Sequence, residues 1–200
     1  MTKSSSARTR RDRWSDLAVV AALVLALALG WGVMVLAQGQ RETFTDAASG
    51  LTVDYPRGWL VKGDDHLTFQ VVDPVAGDFK TTYQVRAWPI SASEALTPSL
   101  GAILSDASLS RAQEGTAYRL LDIREGRAIK GQPTMEAEYV YVVEGADLFV
   151  QQLPVVVRGL DVAVAVGDRA FIFSLLAGKD NWNRAQPGFR DLVESAKVGH

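Results

Sequence analysis

The feature that most constrains this chain is a run of 21 residues without a charge, Leu17 to Ala37, LAVVAALVLALALGWGVMVLA. At about 1.5 Å per residue a helix of that length is roughly 31 Å long, matching a hydrocarbon core of about 30 Å. A helix is required there because lipid offers the backbone no hydrogen-bond partners. Lys3, Arg8, Arg10, Arg11 and Arg13 precede the run, whereas only Arg41 and Arg57 follow it closely. This bias predicts a single-pass membrane anchor with the N-terminus in the cytoplasm and the C-terminal part outside it. Trp14 falls at the inner boundary, a level that suits an indole ring. A cleaved signal peptide is the rival reading, with Val35-Leu36-Ala37 as a small-x-small site before Gln38. Its apolar core would normally be only about 7–15 residues. Arg10-Arg11 hints at twin-arginine export, but Asp12-Arg13-Trp14 fits that signal poorly.

The same run divides the chain. Residues 1–16 read as a basic cytoplasmic tail, Ser- and Arg-rich and without apolar period as far as Arg13. Residues 17–37 read as the transmembrane helix, 38–42 as a polar linker, and 43–200 as one extracytoplasmic domain. Ala18, Ala22, Ala26 and Gly30 recur every four residues. Either this is a small-residue stripe through which the anchor packs against itself or a partner's helix, or it reflects only the abundance of Ala.

Charge is uneven. Up to Asp16 five basic residues face two acidic ones, and the remainder carries 16 basic against 21 acidic. The exported part is mildly acidic with no concentrated basic face, which argues against a nucleic-acid partner. There is no Cys, so disulfides, thiolate metal sites and Cys nucleophiles are excluded. The domain must be held by its core alone, which a length of about 160 residues allows.

From Thr43 onward short alternating runs indicate half-buried strands. Leu51, Val53 and Tyr55 alternate with Thr52 and Asp54, and Pro56-Arg57-Gly58 turns the chain before Trp59, Leu60 and Val61. Lys62 to Asp65 is a turn, and Leu67–Val72 and Thr81–Ile90 are strands, with Tyr83, Val85 and Ala87 on one face. Ser91-Ala92-Ser93-Glu94 matches a capping box, and Thr97-Pro98 offers a second helix start. Leu100, Ile103, Leu104 and Ala107 then form a helical apolar face. Tyr118–Arg124, Thr134–Val143 and Phe149–Arg158 read as strands, the last two joined by Glu144-Gly145-Ala146-Asp147. Val162, Val164 and Val166 lead into Gly167-Asp168, a two-residue hairpin signal, then Arg169–Leu176. Asn181–Gln186 reads as a polar loop carrying Trp182, and Pro187–Ala196 as a closing helix. Strands joined by hairpins and broken twice by helices predict an α+β domain, an antiparallel sheet flanked by helices.

Chemistry-bearing groups are sparse. A Ser-His-Asp triad would have to use His66, and no Gly-x-Ser-x-Gly elbow is present. Asp64, Asp65 and His66 have metal-ligand chemistry but read as a solvated turn, and Asp73 and Asp78 flank a second loop without calcium-loop spacing. Glu136 and Glu138 share one strand face, as an acid/base pair would, or simply as a wet edge. Phosphate-binding Gly-rich patterns are absent. No cofactor, metal or catalytic residue is expected. Of the tryptophans outside the apolar run, Trp59 is expected in the core beside Tyr55. Trp88 lies at a strand end before Pro89. Trp182 reads either as an exposed contact residue or as folded back over the sheet edge. Trp182 and Trp88 are the candidate partner-binding residues.

Gly50-Leu51-Thr52-Val53-Asp54-Tyr55-Pro56-Arg57-Gly58-Trp59 resembles the opening of PsbP-like domains, a strand followed by a Pro-x-Gly-Trp-like turn. Gly131-Gln132-Pro133 before a strand bearing Tyr139 and Tyr141, the aromatic strand Phe171-Ile172-Phe173, and a short C-terminal helix extend the resemblance over residues 43–198. It implies a sheet sandwiched between helices, and a role in binding or stabilising membrane assemblies rather than catalysis. Two departures limit it. The closing helix reads Glu194-Ser195-Ala196-Lys197 where an aromatic often follows the Ser. No N-terminal arm of the kind that contacts a photosystem is recognisable, so a photosystem role is not implied. The expectation is a non-enzymatic, membrane-anchored domain that binds a membrane-protein partner; the alternative is a small-ligand or metal-binding module at the outer membrane face.

Overall fold

The computed structural model describes residues 10–38, 40–64, 66–90, 99–114, 116–143 and 153–198, which form two compact units divided after Gln40. The first unit contains one helix, α1 (Arg10–Gln38), of 29 residues. It starts seven residues before the apolar run, so Arg10–Arg13 are helical rather than an unstructured tail. Arg and Asp are compatible with a helix, and the cooperative apolar run carries it outward. Side chains 17–32 are all exposed, including Leu17, Val20, Leu23, Leu27 and Trp31. Among the described residues, no helix is long and apolar enough to cross a membrane.

The second unit opens with β1 (Arg41–Asp46), which pairs antiparallel with β2 (Leu51–Pro56). The expected linker therefore ends at Gln40 rather than Glu42. There follow β3 (Leu60–Val61), β4 (Phe69–Val72) and β5 (Thr82–Pro89), then α2 (Leu100–Glu114). Next come β6 (Thr116–Glu125), β7 (Thr134–Val143), β8 (Val155–Val166) and β9 (Arg169–Gly178). The unit closes with α3 (Trp182–Ser195) and β10 (Lys197–Val198). The Ser91–Glu94 capping box, the Thr97-Pro98 start and the Glu144–Asp147 loop lie outside the described residues.

Among the described residues, two antiparallel sheets form, of seven strands in the order β3-β4-β5-β9-β8-β7-β6 and of three in the order β1-β2-β10. Alternation sorts the large sheet into two faces. Phe171, Phe173 and Leu175 of β9 and Leu160, Val162 and Val164 of β8 join the core shared with Leu51 and Val53 of β2 and Phe189 and Leu192 of α3. Ile172, Ala170 and Ala163 join a second core, with Leu100, Leu104 and Ala107 of α2. The domain is thus an α+β sandwich, as the PsbP-like resemblance implies, with the small sheet sharing the α3 side. Ser195 closes that side: its hydroxyl accepts the Asp54 N–H at 2.9 Å and donates to the Leu192 carbonyl at 2.7 Å.

Two boundaries differ from expectation for physical reasons. Arg158-Gly159-Leu160-Asp161 looks like a break between strands, yet β8 runs through it unbroken. Gly159 is needed because the Tyr139 ring lies on it; a Cβ there would come within 2.2 Å of the ring. Asp161 is tolerated because it is paired beneath α2. The second difference is α3, which begins at Trp182 rather than Pro187. Trp182, Ala185, Phe189, Leu192 and Val193 share its buried face. Burial of the indole extends the helix past Pro187, whose missing N–H removes one backbone bond. The Gly167-Asp168 hairpin forms as expected, with Gly167 at φ +63°.

Candidate functional site

On the α2 side of the large sheet, α2 packs over β6, β7 and β8, and a cleft opens beside it toward β4 and β5. Its origin is register. Gln70 of β4 stands opposite Gln84 of β5, Gln84 opposite Ser174 of β9, and Ser174 opposite Asp161 of β8. Strand alternation sends all four to the same face, so a polar row crosses four neighbouring strands.

The inner half of the row is sealed by α2. Arg111 forms an ion pair with Asp161 and donates to Ser174 Oγ at 3.2 Å. Tyr139 Oη donates to the other Asp161 oxygen at 3.2 Å, and the guanidinium lies 4.8 Å from the Tyr139 ring centroid. The Asp161 side chain is 2% exposed and that of Arg111 18%. Burial opposes the charge on Arg111, but the Asp161 carboxylate outweighs it and raises the pKa. Burial, and then Asp161, push the Tyr139 phenol well above its ordinary value. Tyr118 stacks 5.4 Å from Tyr139 and shares a 2.7 Å hydrogen bond with Ser108.

The outer half opens into a cleft of about 260 Å³, where Gln70, Gln84 and Arg86 meet Tyr118, Tyr141 and the solvent edge of Arg111. Among the described residues, no hydrogen bond or ion pair engages the side chains of Gln70, Gln84 or Arg86. Burial pushes the Tyr141 phenol up to about 12, so it stays protonated and is a donor at neutral pH. The cleft therefore presents amides, a phenol and a guanidinium to an incoming group. With Arg111 neutralised by Asp161, Arg86 and Asp64 are the remaining charges in its lining.

The other expected residues lie elsewhere. Trp182 is 3% exposed, not an exposed contact residue; it packs beneath Arg158, whose guanidinium sits 4.6 Å from the ring centroid. Trp88 is partly buried against the core under α2. Trp59 packs against the core that holds Tyr55, its ring 4.5 Å from that of Tyr83. Ala18, Ala22, Ala26 and Gly30 lie along exposed α1, with nothing within 4 Å of a Cβ at Gly30. Asp64 accepts the His66 N–H at 2.8 Å and Asp73 the Val75 N–H at 2.9 Å, both as ordinary turn contacts. Asp65 and His200 lie outside the described residues. Among the described residues, no cluster of three or more His, Asp or Glu is placed to hold a metal.

Glu136 and Glu138 are not a wet edge. They face α3, where Glu136 is 7% exposed between Arg124 at 3.2 Å and Arg190 at 3.3 Å. Glu138 accepts from Arg158 Nε at 2.6 Å. Each carboxylate is matched by arginine, an arrangement that fixes the edge rather than poising an acid. Reading residues singly misses the cleft because Gln70, Gln84, Arg86 and Asp161 are unremarkable until pairing aligns them. The detectable signal is an Asp inside a valine-rich run, which must find a buried partner.

The fold so defined is that of PsbP-like domains. The solution structure of cyanobacterial PsbP (CyanoP) from Synechocystis sp. PCC 6803 superposes with a TM-score of 0.59 at 18% identity, covering 80% of this chain and 92% of that one. The Saccharomyces cerevisiae Ran-binding protein Mog1p superposes with a TM-score of 0.50 at 12% identity, covering 80% and 95%. At such identities the likeness establishes the fold alone. No family model matches the chain, and no curated protein does.

Proposed function

We propose that this chain is a non-enzymatic binding module tethered to a membrane by α1, with its folded domain outside the cytoplasm, and that it holds a membrane-protein partner through the cleft on the α2 side. The polar row carries the reading: its inner half is locked, while its outer half offers unengaged donors and acceptors to solvent. Rigid supports under adaptable polar groups suit recognition. Among the described lining residues, no hydrogen bond pairs a nucleophile with a base, as group transfer needs. The fold is shared with a Ran-binding protein, Mog1p, and with a cyanobacterial PsbP.

The tether rests on α1. Its exposed side chains are apolar on every side, a pattern that requires a non-aqueous environment. The sequence continues apolar from Val33 to Ala37. Partner contact by the anchor through Ala18, Ala22, Ala26 and Gly30 is a finer part of the same proposal.

A photo-crosslinking residue placed at Gln84 should trap one discrete membrane-protein species in intact cells, while the same probe at exposed Val75 traps none. Equal trapping at both positions, or at neither, would remove the partner reading. The concavity of the cleft favours a second reading, a small polar ligand; retention of a low-mass compound on the purified full chain, without protein crosslinks, would select it.

A further inference from the structure

We infer a second binding site, independent of the cleft, that takes a free single-chain anionic amphiphile such as a medium-chain carboxylate. It lies at the C-terminal end of α3, where a cavity of about 320 Å³ has a floor of Val164, Val166, Phe173 and Val193 and a rim of Ile129 and Val198. Two cations flank this apolar floor, Lys130 and Lys197, and no carboxylate is among the described residues that line it. Apolar walls with one-sided positive charge are complementary to a hydrocarbon tail with an anionic head.

One wall is held by a side-chain contact. Ile129 and Gln132 exchange backbone hydrogen bonds at 3.0 and 2.8 Å, making a miniature hairpin with Lys130 and Gly131 at its tip. Both tip residues have positive φ, +49° and +82°. A lysine is seldom found in that conformation; here it brings Nζ to the Ala196 carbonyl at 2.5 Å, strapping the hairpin to the end of α3. An anionic head at the rim competes for the same ammonium. It would replace a neutral carbonyl by a charged acceptor, the stronger hydrogen bond, while Lys197 supplies a second contact. The tail would then lie between Ile129 and Val198.

The test uses the full chain in zwitterionic lipid nanodiscs with isoleucine and valine methyls labelled for NMR. Titration with decanoate should shift the Ile129 and Val198 methyls saturably, and decanol at equal concentration should leave them in place. Affinity should rise about three- to fourfold per added methylene from hexanoate to decanoate. Lys130→Gln with Lys197→Gln should weaken decanoate at least tenfold. Val198→Trp should fill the cavity and abolish the Ile129 shift with melting unchanged. Absence of saturable shifts, equal response to decanol, or full affinity in the double lysine variant would overturn the inference. So would shifts produced only by anionic lipid in the disc without decanoate, which would assign the site to a bilayer surface. None of these outcomes bears on the cleft.

Discussion

The two faces of the seven-stranded sheet solve opposite problems. The α3 face is wide and dry at its centre, filled by Phe171, Phe173, Phe189 and Trp182, and its charges, Glu136 and Glu138, are matched by arginines at the edge. The α2 face sets small residues, Ala137, Ala163 and Ala170, beside Ile172, and carries a polar row through its middle. A face that needed only stability would not bury an Asp-Arg pair, because desolvation offsets most of the attraction. The contrast supports the proposed role of the α2 face.

The largest effect should come from splitting the buried pair. Arg111→Met strips buried Asp161 of its cation, leaving only the Tyr139 hydroxyl, and should destabilise the domain by about 3–5 kcal/mol. Adding Asp161→Leu should recover most of that loss in a denaturant melt; failure to recover would mean that Arg111 matters for packing alone. On the other face Trp182→Ala should cost about 3–5 kcal/mol, as expected of a core residue and not of a surface contact. Gly159→Ala should cost about 1–3 kcal/mol by pushing the Tyr139 ring off the strand, and Tyr139→Leu in the same background should soften the penalty.

A pH series sharpens the comparison. The Tyr141 phenol is raised from 10.0 to about 12 in the folded domain, chiefly by burial. Folded protein keeps that proton while unfolded chain loses it, so the contribution is present below pH 10 and lost as pH rises toward 12. Tyr141→Phe should flatten the fall in melting temperature over that window. An unchanged alkaline slope would mean that other groups, Tyr83 and Tyr139 among them, dominate it. The smallest effect on stability is expected at the cleft: Arg86→Ala should stay within about 0.5 kcal/mol.

Much of the architecture was legible because alternation writes burial directly into sequence. Leu51, Val53 and Tyr55, Tyr83 and Val85, and the Leu100–Ala107 face all lie where their spacing puts them. The Pro-Arg-Gly-Trp turn and the Gly167-Asp168 hairpin are local chemistry and formed locally. What stayed hidden depends on partners distant in sequence. Glu136 and Glu138 look solvent-facing until α3 brings Arg190 to the first and β8 brings Arg158 to the second. Trp182 looks like a loop residue until its indole finds the core. The polar row requires three strand registers at once, and no local pattern specifies register across a sheet. The candidate site was therefore the least readable part of the domain, and the strands and hairpins set by local alternation the most readable.

The assignment of the cleft is tested most directly by separating its chemistry from the fold. In the full chain carrying a crosslinker at Gln70, the Arg86→Ala, Gln84→Ala double variant should melt within a degree or two of the parent. The yield of the trapped membrane partner should fall at least tenfold. Undiminished trapping by this variant, with melting unchanged, would contradict the assignment and place recognition elsewhere on the molecule.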